Sequence, residues 1–335
     1  MSGPTTPNEL TEEMRLAVTV GMDTLTNLRN VLDEYGFAIV VGVLSTDEAE
    51  EGVSLFWDYL ESLGTGIDRN NTDTQDNTRW PPTFSTGILD NPSLCAGQSR
   101  VAWWARLKAK QVFSSLYNTE DLVTSFDTIG IYREKIKTKK EMWYHTDSTP
   151  LRHEKDHSTQ GILNLIDTTE NGEGGLVVLP KSHSLLFQYV TKNADWAPLW
   201  NDESFWEKYS ELLSDNPLLH PVRVGAPAGS VILFYSSVVH CNMPYSTKRT
   251  TESHLRRAVV YVCMAPRDRV TDKKWNEKRR QAVVDGATTS HWPDRIEKKR
   301  PPRYPLKRAL HTGRMKEAGT VLDYDDLSDE MKSLL

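Results

Sequence analysis

Ala228-Gly229-Ser230-Val231-Ile232-Leu233-Phe234-Tyr235-Ser236-Ser237-Val238-Val239-His240 is the stretch on which the fold turns. A small-residue turn opens onto a run rich in β-branched and aromatic side chains, which reads as a buried strand ending in a histidine. Short β-prone runs also occupy residues 126–132, 142–145, 162–166, 176–179, 222–224 and 256–263, separated by Gly, Pro, Asn and Asp. Many short strands with turn signals predict a sandwich or barrel, not a wound parallel sheet. The N-terminal third reads helical. Met14, Val18, Met22, Leu25, Leu28 and Leu32 recur at three- and four-residue spacing and predict one apolar helix face. A strand follows at 37–41, and Ser45 with Glu48 three residues on predicts a capping box and a helix to about residue 62. A surface loop over 64–82, a helix over 101–117 and a helical insert near 204–213 complete the reading. The expected fold is α+β, a jelly-roll core over about 126–264 with the N-terminal helices buttressing one sheet.

The chain has 335 residues, with 40 Lys+Arg against 46 Asp+Glu for a net charge of -6. Hydrophobic residues at 38% and charged residues at 26% fit a globular protein with a polar surface. No stretch approaches the ~18 apolar residues of a membrane span, and the opening MSGPTTPNEL has no signal-peptide pattern. Neither secretion nor a membrane is expected. Three scattered cysteines argue against a disulfide framework and for a reducing, cytoplasmic setting. The charge is uneven: residues 266–310 hold fourteen Lys/Arg and six Asp/Glu, a local charge of +8. That window reads as a solvated, basic helical extension over 266–335, or as a grip on an anionic partner such as a charged small-molecule substrate. Few aromatics interleave its cations, which argues against nucleic acid.

The candidate chemistry begins at His145-Thr146-Asp147. In an extended segment, positions i and i+2 project to one face, so an imidazole and a carboxylate can share a metal. His240 stands ninety-three residues beyond Asp147, at the end of the strand quoted above. Two imidazoles and one carboxylate on one face of an ion leave adjacent positions open, an arrangement suited to non-haem Fe(II). Arg256 and Arg257 then open the next β-prone run, where a guanidinium could meet a carboxylate through two parallel hydrogen bonds.

Four stretches of the chain resemble the phytanoyl-CoA dioxygenase-like family of Fe(II)/2-oxoglutarate-dependent oxygenases. They are Glu34-Tyr35-Gly36-Phe37-Ala38-Ile39-Val40 with Gly42-Val43-Leu44-Ser45; Trp143-Tyr144-His145-Thr146-Asp147; Gly174-Gly175-Leu176-Val177-Val178-Leu179-Pro180-Lys181-Ser182-His183; and Ala228 through His240 and on to Arg256. The likeness spans roughly residues 28 to 264. It implies a double-stranded β-helix (a cupin-like jelly roll) within an oxygenase domain over residues 1–265. It also implies His145, Asp147 and His240 as iron ligands, with 2-oxoglutarate and O₂ as co-substrates. Arg256 is implied as anchor of the distal carboxylate, and Asn164 as a further residue of the co-substrate pocket. Strand alternation leaves Arg257 open for the same role, because the two arginines face opposite sides of an ideal strand; the family pattern prefers Arg256. Relatives that halogenate lack the carboxylate found here as Asp147, so its presence favours hydroxylation, with desaturation or ring closure left open. Lys181 stands where the family usually has glycine, and the interval from His240 to Arg256 is lengthened by a polar insert over 245–254.

Two rival readings remain. His153-Glu154-Lys155-Asp156-His157 matches the zinc-peptidase pattern His-Glu-x-x-His, but residues 148–160 lack the apolar face that such a helix needs. A non-catalytic, metabolite-binding β-barrel is the other. His183, after a Pro-x-Ser turn, reads as structural and not as a ligand. Trp80, Tyr132, Trp143 and Tyr144 are candidate pocket walls, although aromatics at strand ends are more often core.

Overall fold

Val231–Tyr235 is a strand buried at every position, as a run apolar on both faces requires. The computed structural model describes residues 7–75, 79–81, 87–89, 91–133, 144–148, 158–170, 174–184, 220–243, 255–298 and 312–335. Within them the chain runs β1 (Asn8–Glu9), α1 (Glu12–Val18), β2 (Thr19–Gly21), α2 (Leu28–Tyr35), β3 (Phe37–Val41), α3 (Thr46–Ser62) and α4 (Arg100–Tyr117). Next come β4 (Leu122–Thr124), β5 (Ile129–Arg133), β6 (Thr159–Asn164), β7 (Gly175–Val178), β8 (Val222–Val224), β9 (Val231–Tyr235), β10 (His240–Met243) and β11 (Leu255–Pro266). Three short helices close it: α5 (Trp275–Val284), α6 (Thr312–Glu317) and α7 (Asp329–Ser333). The result is an α+β arrangement of two mixed sheets. One has the order β1-β8-β7-β10; the other runs β2-β3-β9-β6-β11-β4, with β5 also paired to β11.

The two faces of the larger sheet can be told apart from its glycines. A side chain at Gly161 on β6 would meet the Phe113 ring of α4 and the carbonyl of Val262, so Gly161 and Val262 face the helices. Gln160, Ile162 and Asn164 therefore project to the opposite face. On β11, Val259 and Tyr261 pair with Asn164 and Ile162 and so share the face away from α4, where a side chain at Gly130 of β5 would meet them both. All the chemistry described below lies on that side.

Where the sequence predicts one apolar helix face over 14–32, the chain makes α1, the short strand β2 and then α2. Thr19 and Val20 are β-branched and Gly21 follows, so a parallel pairing with Ile39, Val40 and Val41 of β3 displaces the helix there. Helix α3 starts as expected: Ser45 Oγ accepts from Glu48 N at 3.2 Å and Glu48 Oε2 accepts from Ser45 N at 2.8 Å. Ser45→Ala is expected to cost about 1 kcal/mol, read as a lower midpoint in urea unfolding at unchanged slope. The stretch read as a surface loop over 64–82 is less exposed than expected. Ile67 and Trp80 are buried, and Trp80 stacks 5.6 Å from Trp57, so it is core and not pocket wall.

The basic C-terminal segment packs on the body. Ala282, Val283, Leu322, Leu327 and Leu335 form a cluster with Trp103 of α4 and Phe126. Arg279 is fully buried, stacks 3.5 Å from the Phe126 ring and donates to the Thr124 carbonyl. Other cations of this segment are also paired: Arg267 with Asp121 of the body at 2.7 Å, and, within the segment, Lys278 with Asp272 at 2.5 Å and Lys298 with Asp285 at 2.8 Å. All three cysteines are buried and none is in a disulfide. Among the described residues, no helix is long and apolar enough to cross a membrane.

Candidate metal centre

His240 opens β10, and its backbone exchanges two hydrogen bonds with His145, N to O at 2.9 Å and O to N at 3.0 Å. This isolated bridge sets the two imidazoles side by side, ring centres 4.4 Å apart. Asp147 is fixed by its own backbone, since the N–H groups of Asp147 and Ser148 both donate to the Ser236 carbonyl at 2.8 and 3.1 Å. The carboxylate then reaches both rings: Oδ1 lies 3.5 Å from His145 Nε2 and Oδ2 lies 3.4 Å from His240 Nε2. The three ligand atoms fall within 4.8 Å of one another and could hold a metal ion.

Each group is prepared for that role. His240 is buried between the His145 ring and the Phe234 ring, the latter 4.8 Å away. Its Nδ1 is committed to the Val238 carbonyl at 2.9 Å, so Nε2, the nitrogen turned toward Asp147, is the one left to meet an ion. Burial opposes ionisation of Asp147, but hydrogen bonds from His145 and His240 and the nearby His240 and His291 charges outweigh it. They hold the carboxyl well below the usual carboxylate range. Two nitrogens and one anionic oxygen, presented from one side, match the facial set favoured by divalent iron.

Two residues that sequence reasoning missed also touch Asp147. Gln160 Nε2 donates to Oδ2 at 2.7 Å. Strand alternation back from Asn164 puts Gln160 on the same face and was the available signal. His291 Nδ1 lies 4.0 Å from the same oxygen; it comes from the segment that the family resemblance does not cover, and no local pattern marks it.

The other expected residues are placed as follows. Arg257 is buried, and its Nη1 lies 3.4 Å from Asn242 Oδ1, two residues along β10 from His240 and on the same face. Tyr261 shares this side; burial raises its hydroxyl pKa, while the neighbouring Arg257 opposes the rise. Arg256 is also buried, but it is the extra residue of a β-bulge. Leu255 pairs with Arg133 and Arg257 with Tyr132, so two steps on β11 match one on β5. Asn164 lies on the inner face, yet its amide donates to Thr168 Oγ1 at 3.0 Å and the Ala226 carbonyl at 3.3 Å. His183 stands apart, with Nε2 3.1 Å from the Asp33 carbonyl and its ring 5.7 Å from that of Tyr235. Lys181 takes a left-handed φ of 62°, the conformation for which glycine is the usual choice. Tyr144 is buried near Cys241, while residues 153–157, Trp143, the 204–213 insert, the 245–254 insert and the Tyr132 side chain lie outside the described residues.

No protein-family model matches the chain. A curated protein of Dictyostelium discoideum named "Putative phytanoyl-CoA dioxygenase" is 22% identical over 287 residues, covering 74% of this chain and 78% of that protein. Among solved structures, the Escherichia coli protein JW0805 aligns with a TM-score of 0.57 at 16% identity, covering 95% of this chain and 85% of that one, a likeness of fold. HygX of Streptomyces hygroscopicus, solved with nickel and 2-oxoglutarate bound, aligns with a TM-score of 0.38 at 15% identity over 76% of this chain and 86% of its own. In sequence, the chain resembles the phytanoyl-CoA dioxygenase-like proteins over about three quarters of its length.

Proposed function

We propose that the protein is a non-haem Fe(II)/2-oxoglutarate-dependent dioxygenase that hydroxylates a C–H bond of a small-molecule substrate. The observation that carries this reading is the convergence of His145, Asp147 and His240 within 4.8 Å. The two sheets are then the halves of a double-stranded β-helix. When bound, Fe(II) supplies the redox chemistry by which 2-oxoglutarate and O₂ become succinate and CO₂, with one oxygen atom entering the C–H bond as hydroxyl.

The rest falls to the chain's own residues. His145, Asp147 and His240 hold the ion from one side and leave the opposite side for co-substrate and substrate. Arg257, with Asn242 and Tyr261 beside it, grips the distal carboxylate of 2-oxoglutarate. This choice over Arg256 is supported by strand alternation, which puts Arg257 on the face it shares with Tyr261, and by its approach to Asn242 on the His240 strand, whereas Arg256 is the bulged residue. Asn164 is not enlisted, because its amide hydrogens are spent on Thr168 and Ala226 and its remaining Oδ1 is an acceptor that a carboxylate would repel. Phe234 walls the His240 ring with apolar surface, limiting water near the reacting atoms.

Protein purified without oxygen, loaded with Fe(II) and exposed to air with 2-oxoglutarate is expected to release succinate slowly even without a substrate. A chelator should stop it. The absence of metal-dependent succinate under these conditions overturns the reading in favour of a non-catalytic barrel.

A further inference from the structure

Gln160 and His291 approach Asp147 at the same oxygen from different parts of the chain. Gln160 comes from β6 at the centre of the larger sheet, and its Nε2 is 2.7 Å from Oδ2. His291 comes from the C-terminal segment, beyond the stretch that resembles known oxygenases, and its Nδ1 is 4.0 Å from Oδ2. This segment is fastened to the body by well-formed bonds. Thr289 N donates to the Phe126 carbonyl at 2.8 Å, and Thr289 Oγ1 accepts from Phe126 N at 2.9 Å. Thr288 Oγ1 accepts from Gly97 N at 3.1 Å, and the Ala287 carbonyl accepts from Gln98 Nε2 at 2.8 Å. The approach is close enough to require glycine: a side chain at Gly97 would lie 2.2 Å from the Phe126 carbonyl and 3.1 Å from Thr288 Cα. Trp292, buried next to His291 with ring centres 5.4 Å apart, limits how far the imidazole can move.

A carboxylate that binds an ion through one oxygen is free to rotate unless the other oxygen is held. Gln160 occupies Oδ2 and so leaves Oδ1, the oxygen facing His145, for the ion. At 4.0 Å, His291 makes an electrostatic contact longer than a hydrogen bond, a length common in ligand-free sites. We propose that Gln160 and His291 are positioning residues that together fix the Asp147 carboxylate, so that the C-terminal segment is a working part of the metal centre. This rests on the metal-centre reading above and deepens it.

The test titrates metal-free, full-length protein with Mn(II), following free Mn(II) by electron paramagnetic resonance, and records the melting temperature of each metal-free variant. Gln160→Leu is expected to weaken Mn(II) binding about 10–100-fold, the usual effect of removing a ligand's outer partner. His291→Phe keeps a ring in place without its N–H and is expected to weaken binding by about tenfold, at an unchanged metal-free melting temperature. His291→Gln restores a donor and should bind within about threefold of wild type. Wild-type affinity in His291→Phe overturns the role of the C-terminal segment, and wild-type affinity in Gln160→Leu overturns the clamp. A loss in His291→Phe that comes with a lower melting temperature and is not rescued by His291→Gln assigns the residue to packing alone and also overturns the proposal. Failure of the underlying reading looks different: wild type does not bind Mn(II), or His240→Ala binds it equally well.

Discussion

His240→Ala is expected to lower metal affinity by more than about 100-fold and to bring succinate release to background, because losing an outer partner alone costs about 10–100-fold. The size of the effect follows from how much this one ring does. It is the most buried member of the cluster, with its side chain 8% exposed against 28% for His145 and 22% for Asp147. Its Nδ1 is committed to the Val238 carbonyl, so Nε2 is delivered to the site with no rotational choice left. Removing it takes away a ligand and also one of the hydrogen bonds that keep Asp147 ionised against its burial. His145→Ala removes the equivalent bond on Oδ1 and should match it closely. The measurement is metal binding at equilibrium together with succinate formation. Undiminished turnover in both variants would sink the iron assignment.

Arg257→Leu should raise the KM for 2-oxoglutarate by about 100-fold, since two charge-assisted hydrogen bonds of ~1.5–3 kcal/mol each are lost and partly replaced by water. Metal affinity measured without co-substrate should stay near wild type, because Arg257 lies two strand positions from the ligand His240 through Asn242 and is not itself a ligand. Arg257→Lys keeps the charge but not the fork, and an intermediate KM is expected. Arg256→Leu is the control. As the bulged residue of β11 it should alter stability more than co-substrate binding. Steady-state kinetics with 2-oxoglutarate as the varied substrate decides the matter, and a larger KM effect at Arg256 than at Arg257 reverses the assignment.

Local pattern was enough wherever chemistry and periodicity lay within one element. The apolar run at Val231–Tyr235, the Ser45/Glu48 box and the turn-bounded strands were legible because a strand's burial and a helix's first turn depend on neighbouring residues. The His-x-Asp triplet and His240 could be nominated for the same reason, each standing at the edge of a readable strand. The helical periodicity over 14–32 does not show the break at Thr19–Gly21, because the gain from pairing those residues with β3 cannot be seen in α1 or α2.

What the sequence by itself determined is the α+β class, the two-sheet character and the short list of residues able to hold a metal. Only the tertiary structure decided which of them meet. Alternation sets Arg256 and Arg257 on opposite faces of β11, but which face looks toward the His240 strand depends on how β11 is paired and on what lies across from it, here Asn242 beside Arg257. Gln160 and His291 reach a single carboxylate oxygen from positions 131 residues apart in sequence, and that meeting is a property of sheet order and chain return. Periodicity reports which side of an element a residue faces. It carries no information about what the rest of the chain has placed there.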